Sequence, residues 1–236
     1  YSFKNSNNSF QTYLPKTSTT EFYSEFSNGH HVKDLESSNL YIELESGERT
    51  NAYHMSSSNS VLVDGKVSYA DVYPDIDLNV SVLAGKRKAD FIIKSNSILS
   101  DIPEDSKFLV FEEIISLDNY TTYEYNQSKG YVLFYDENSE VFAGYDVPRI
   151  YDAKHRLAGA SKLNRKTELD FSDNDFSFFE IVPINSHSFY LRTKVSIPWL
   201  LSDGLQYPIT VDPDLTASIG NNYLCGTPSG YGGCSQ

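Results

Sequence analysis

The stretch Val67-Ser-Tyr-Ala-Asp-Val-Tyr-Pro-Asp-Ile-Asp-Leu-Asn-Val-Ser-Val-Leu-Ala-Gly-Lys86 decides the fold class. Val72, Ile76, Leu78, Val80 and Val82 recur with a period near two, and Asp71, Asp75 and Asp77 fall between them. Such alternation, built on β-branched residues, marks a half-buried strand, because successive side chains leave a strand on opposite faces. Pro74 has no N–H to donate to a ladder, which confines it to an edge, a strand start or a bulge. Ala84-Gly85-Lys86 reads as a tight turn and Ala89-Asp-Phe-Ile-Ile-Lys94 as the returning strand. The unit is a hairpin with an acidic, proline-marked lead-in.

The same texture extends outward. Asn39–Ser46 alternates, and Val61-Leu-Val and Val67-Ser-Tyr69 flank Asp64-Gly65, a strong hairpin turn signal. Lys107–Leu117 fits a buried strand or a short helix, and its Val, Ile and Phe content favours the strand. Tyr120–Tyr125 pairs with Tyr131–Tyr135 across Asn126–Gly130. Ser188–Val195 is a long alternating strand, Ile197–Leu201 a bend or one helical turn, and Leu205–Asp212 the last clear strand. No amphipathic helix and no internal repeat is visible. Short strands every 8–12 residues or so predict an all-β fold, an antiparallel β-sandwich or two stacked sheets. Residues 1–30, polar with scattered aromatics, read as an extended, flexible N-terminal arm. Residues 31–213 form the sandwich module, with two sub-sheets as one arrangement, and 214–236 a Gly/Ser-rich linker or disulfide loop.

The 236 residues suffice for a sizeable core. The 18 Tyr and 14 Phe, against one Trp, favour pleated sheets. A net charge of −13 argues against nucleic-acid phosphates and anionic membranes, both of which need clustered Lys and Arg. No apolar run reaches the ~20 residues of a membrane helix. No signal peptide is visible, and a start at Tyr1 without Met suggests a processed or truncated N-terminus. Cys225 and Cys234 bracket a Gly-rich segment and read as a disulfide loop, which implies an oxidising, extracellular setting. Ligation of a soft metal is the other reading, at a spacing unlike a zinc knuckle.

Tyr69-Ala-Asp-Val-Tyr-Pro-Asp-Ile-Asp-Leu78, followed by Asp90-Phe-Ile-Ile93, resembles the Y-x-x-V-Y-P-G-I-D-L … x-F-x-V signature of secreted bacterial and archaeal surface proteins. Trp199-Leu-Leu and Tyr207-Pro-Ile-Thr-Val-Asp-Pro213 are similar to the W-L … Y-P-V-x-x-D-P ending of the same extracellular β-module. Gly130–Tyr135 and Val147–Asp152 stand where the family has a G-x-L-x-x strand and a P-x-x-Y-D element, so the resemblance covers about residues 60–215. It implies a non-catalytic module near the N-terminus of large adhesin-like or repeat-bearing secreted proteins, type IX secretion cargo among them. Asp75 departs from the family's Gly, which removes the easy positive-φ residue and adds charge.

Several residue sets invite chemistry. Asp75 and Asp77, two apart on one strand, share a face and offer hard oxygens to Ca²⁺; otherwise they form a solvated face. No cofactor is expected apart from such a Ca²⁺ ion. His30, His31 and His54 are transition-metal candidates, although adjacent histidines in a polar segment are usually plain surface residues. No G-x-S-x-G is present, and no carboxylate pair stands out among 32 acids, so no catalytic residue is assigned. Tyr120, Tyr123, Tyr125 and Tyr131, with Tyr135, offer rings for stacking sugars or a protein partner, unless alternate members fill the core. The expected function is a structural or adhesive module of a secreted cell-surface protein, not an enzyme. Its partners would be other surface proteins or further modules of the same polypeptide. Glycan binding by the tyrosines and a filament joined by N-terminal strand exchange are the alternatives.

Overall fold

The Val67–Lys86 stretch carries one more turn than alternation implies. Strands β7 (Lys66–Tyr73) and β8 (Ile76–Leu83) are antiparallel, with Tyr73 opposite Ile76, so Pro74-Asp75 is the turn between them. Proline presets the first corner, and Asp75 takes the left-handed conformation at the second (φ 60°). The missing proline donor therefore costs no ladder bond. β9 (Lys86–Ile93) pairs with β8 along its whole length.

The structure is a computed structural model that describes residues 2–5, 10–83, 85–154 and 176–217. It consists of two stacked antiparallel sheets. The first runs β1 (Phe3–Lys4), β2 (Phe10–Leu14), β3 (Phe22–Phe26), β4 (His31–Leu44), β10 (Ser106–Leu117), β16 (Ser188–Ser196), β15 (Ser177–Asn185), with β5 (Arg49–His54) also on β4. The second runs β11 (Thr122–Asn126), β12 (Tyr131–Tyr135), β13 (Val141–Tyr145), β18 (Asp214–Ala217), β9, β8, β7, β6 (Ser60–Val63). In it, β17 (Ile209–Asp212) pairs with β9 and with β14 (Arg149–Tyr151). Lys107–Leu117 is strand throughout, and α1 (Ile197–Leu200) is the expected helical turn, capped by Ser196.

β17 and β18 lie on β9 in one continuous register, with Val211 opposite Phe91 and Asp214 opposite Lys88. Pro213 stands between them, where the far-side neighbour changes from β14 to β13. A residue without an N–H fits where the ladder changes partner.

Two of the expected boundaries are corrected. Residues 10–26 do not stand off as an arm: β2 and β3 are paired members of the first sheet, and Phe10, Leu14, Phe22 and Phe26 are buried. The inward half of the period-two pattern is Phe10, Thr12 and Leu14 on β2 and Phe22, Ser24 and Phe26 on β3, with Gln11, Tyr13, Tyr23 and Glu25 on the outward half. At the other end, Asp214–Ala217 is a strand of the second sheet rather than the start of a linker.

Between the sheets the apolar side chains form two clusters, separated by a row of buried polar residues. Along β2 the order is Phe10, Thr12, Leu14, and along β3 Phe26, Ser24, Phe22. β4 carries Val32, Asp34, Leu35; β10 carries Ile115, Glu113, Phe111; β16 carries Leu191, Thr193, Val195. In each triplet the first residue belongs to one cluster, the last to the other, and the middle one is polar. The second sheet contributes Arg87 and Tyr145 to the same layer. Arg87 donates from Nη1 to Asp34 Oδ1 (2.9 Å) and from Nη2 to Asp34 Oδ2, and reaches Ser24 Oγ at 3.4 Å. The Tyr145 hydroxyl donates to the same carboxylate, and Glu113 accepts from the Leu35 N–H (3.1 Å).

Burial pushes the Glu113 carboxyl up to about 8, the Asp34 charge adds to the shift, and Arg87 relieves only part of it. Folded Glu113 thus keeps a proton that the unfolded chain releases near pH 4.3 or so. The folded state binds more protons across that window, so stability falls as pH rises through it. The urea midpoint is expected to drop between about pH 4.5 and 8, and Glu113→Gln to lessen that slope; an unchanged slope in the variant would refute the assignment. Arg87→Ala, which strands the Asp34 charge, is expected to cost about 3–5 kcal/mol by denaturant titration. Joint replacement by Arg87→Met and Asp34→Leu is expected to cost much less.

Candidate functional site

The tyrosines do not form one face. Tyr123 and Tyr125 lie opposite Phe134 and Val132 and point inward with them. The Tyr123 ring packs on Phe189 (centroids 4.3 Å apart), and the Tyr125 hydroxyl donates to the Phe179 carbonyl. Burial raises both phenols. Tyr131 and Tyr135 occupy the outer face with Leu133 between them, where the Tyr135 hydroxyl donates to Glu124 (3.0 Å). Tyr120, 75% exposed, sits in the turn before β11. Of the four rings expected to bind, Tyr123 and Tyr125 are half-buried against the core. Strand parity assigns them once the pairing of β11 with β12 is known, and sequence alone leaves that parity open.

The carboxylates of Asp75 and Asp77 also diverge. Asp75, at the left-handed corner, accepts from the hydroxyls of Ser95 and Ser97, and these bonds hold its carboxyl below the usual range against a small burial effect. Asp77 turns the other way, to the Lys94 ammonium (3.0 Å) and the Asp71 N–H (2.8 Å), and Asp71 joins it on Lys94. Lysine supplies the positive charge that was expected from Ca²⁺, and Asp75 serves the turn. The Cys225–Cys234 pair lies outside the described residues.

The histidines separate as well. His54 on β5 meets Asn39 Oδ1 at 2.6 Å, whereas His30 and His31 approach Asp118 from the other end of β4. On β9, Lys86 reaches Asp214 (2.6 Å), and Lys88 reaches Asp212 and, at 3.4 Å, Asp90. Burial lifts the Asp214 carboxyl to about 7, with the adjacent Asp212 charge reinforcing the effect against the two lysines. Arg87 faces the core between these lysines, so β9 ties cations to carboxylates on both of its faces.

The region that presents material to a partner is the β6–β7 hairpin. β6 is the last strand of its sheet, and its only strand partner among the described residues is β7. Val61, Leu62 and Val63 are 57%, 59% and 51% exposed. Three consecutive large aliphatics cannot all face a core from a strand, and here none is buried. Asp64 (φ 49°) and Gly65 (φ 75°) close the hairpin with the two left-handed residues of a type I′ turn. Beside the tip is an open groove of about 300 Å³, lined by Asp64, Lys66, Leu83, Lys88, Asp90 and Tyr151 among others. The sequence signal is the run of three aliphatics at Val61–Val63, but such a run reads equally as a buried strand.

Comparison with protein-family models and with curated proteins returns no match for this chain.

Tyr123→Ala is expected to lower stability by about 2–4 kcal/mol, as for an aromatic removed from a core. Tyr131→Ala on the outer face is expected to stay within about 0.5 kcal/mol. Thermal or urea unfolding of the two variants checks this directly, and equal losses would contradict the assigned faces.

Proposed function

We propose that the chain is a non-catalytic structural module of a secreted cell-surface protein, docking to a neighbouring module or surface protein by strand addition along β6. The observation that carries this reading is the exposed Val61-Leu62-Val63 run on an edge strand. Edge strands offer unpaired main-chain groups that template a further strand, and soluble proteins normally blunt them with charge, proline or cover. Here the edge is aliphatic and is held out by a rigid two-residue turn. The resemblance of Tyr69–Leu78 and Tyr207–Pro213 to extracellular modules points the same way, and so does the acidic surface, which suits solubility outside the cell.

The test is a double substitution, Val61→Lys with Leu62→Lys, in the full-length protein of the producing cell. Both side chains lie outside the core, so the unfolding free energy is expected to change by no more than about 0.5 kcal/mol. Retention at the cell surface or assembly with its neighbours is expected to fall sharply. Normal assembly by a folded variant would remove the docking edge, and turnover of a glycan or peptide by the purified chain would remove the non-catalytic reading.

A second reading rests on Tyr131 and Tyr135, two aromatic rings on the outer face four residues apart on one strand, about 13 Å along it. That spacing suits stacking against an extended glycan. Loss of glycan-array binding in Tyr131→Ala and Tyr135→Ala would support it, and an array without any binder would end it.

A further inference from the structure

His30 lies in the connection from β3 to β4, in the first sheet, and Asp136 and Glu137 lie in the β12–β13 turn of the second. The two turns meet at one end of the sandwich, where the nearly buried His30 ring packs on Phe142 of β13 (centroids 5.1 Å apart). His30 Nδ1 is 2.9 Å from Asp118 Oδ2, and His30 Nε2 is 2.9 Å from Glu137 Oε2. A nitrogen of His30 and one carboxylate oxygen each from Asp136 and Glu137 all lie within 4.8 Å of one another.

Asp118 is a fixed acceptor, because it also takes the backbone N–H groups of His31 and Tyr120 (3.1 Å each). Its carboxylate therefore holds the imidazole proton at Nδ1 and turns the Nε2 lone pair toward Glu137. Two lone pairs 2.9 Å apart repel unless a cation lies between them. A proton would satisfy His30 and Glu137 but would make no use of Asp136. Asp136 is itself pre-set, since its Oδ1 accepts from the N–H groups of Asn138 and Glu140 (2.9 Å each) and its second oxygen is left for another partner.

We propose that His30 Nε2, Asp136 and Glu137 bind a divalent transition-metal ion of the zinc class. An imidazole nitrogen with two carboxylate oxygens suits Zn²⁺ rather than Ca²⁺ or Mg²⁺, which take oxygen ligands throughout. Asp118 stands in the position of the outer carboxylate of a carboxylate–histidine–metal arrangement. Three protein ligands leave the fourth tetrahedral position to water. The ion joins a turn of one sheet to a turn of the other and so staples the sandwich at the end away from the Pro74 turn. The site is independent of the docking edge on β6.

The test uses the untagged full chain, freed of metal by a chelator and titrated with ZnCl₂. One Zn²⁺ per chain and a rise in the thermal midpoint are expected, because a ligand that binds only the folded state stabilises it. Glu137 is mostly exposed, so Glu137→Gln keeps the fold; it is expected to weaken binding at least tenfold and to abolish the shift of the midpoint. Asp118→Asn is expected to cost roughly 10–100-fold in affinity. Co²⁺ in place of Zn²⁺ is expected to give visible absorption in the wild type only. Absence of one-to-one binding, or the same Zn²⁺ affinity in the wild type and Glu137→Gln, would overturn the proposal and leave His30 as an imidazolium held between two carboxylates.

Discussion

The ion pair between Arg87 of β9 and Asp34 of β4 is the contact on which the stacking of the sheets depends. Taking either charge out of water costs several kcal/mol, which only close, multiply bonded geometry offsets. Arg87 has that geometry in its two-pronged contact with Asp34, assisted by Ser24 and by the Tyr145 hydroxyl. Burial works against the guanidinium charge, yet Asp34 and the groups around it hold Arg87 more firmly protonated than a free arginine. Apolar clusters tolerate sliding, because dispersion and hydrophobic burial are non-directional. A buried fork on a carboxylate does not, so the polar row sets the register of one sheet on the other while the two apolar clusters supply most of the burial.

That row explains why the core is divided. On five strands of the first sheet the apolar pattern is interrupted once, by Thr12, Ser24, Asp34, Glu113 and Thr193, with a member of each apolar cluster on either side. Glu113 lies close enough to Asp34 for like-charge repulsion, and it is relieved by keeping its proton rather than by a second cation. The two lysines of β9, Lys86 and Lys88, are met by Asp214 on β18 and Asp212 on β17. Across β4, β10, β16 and β15 the ladder of Glu43, Glu112, Arg192, Lys194 and Glu180 does the same for the first sheet. Many of the carboxylates of this chain are thus paired with cations inside and across the sheets.

The surface regions differ in what they offer. The Tyr-rich β11–β12 hairpin gives half of its rings to the core, and the aspartates around Pro74 give their charges to Lys94 and to a turn. The β6 edge leaves Val61, Leu62 and Val63 more than half exposed, and the His30 cluster has more acceptors than donors. These two regions, one apolar and one electron-rich, are the ones whose internal partners do not account for their composition.

Alternation by itself determined the all-β class, most strand positions from Asn39 onward, the Asp64-Gly65 hairpin and the helical turn at Ile197, because these are local consequences of side-chain period and turn chemistry. It also exposed Pro74 as a punctuation point, although not as a turn, since a proline marks a break in the ladder without saying which residues flank it. Only the tertiary structure decided which face of each strand is inside, because parity requires a partner strand. It separated Tyr123 and Tyr125 from Tyr131, and Asp75 from Asp77, and it drew β2 and β3 into the first sheet. It alone brought Arg87 to Asp34 across 53 positions and His30 to Asp118 across 88. Contacts at that separation are made by sheets stacking on one another, and no period within a single strand records them.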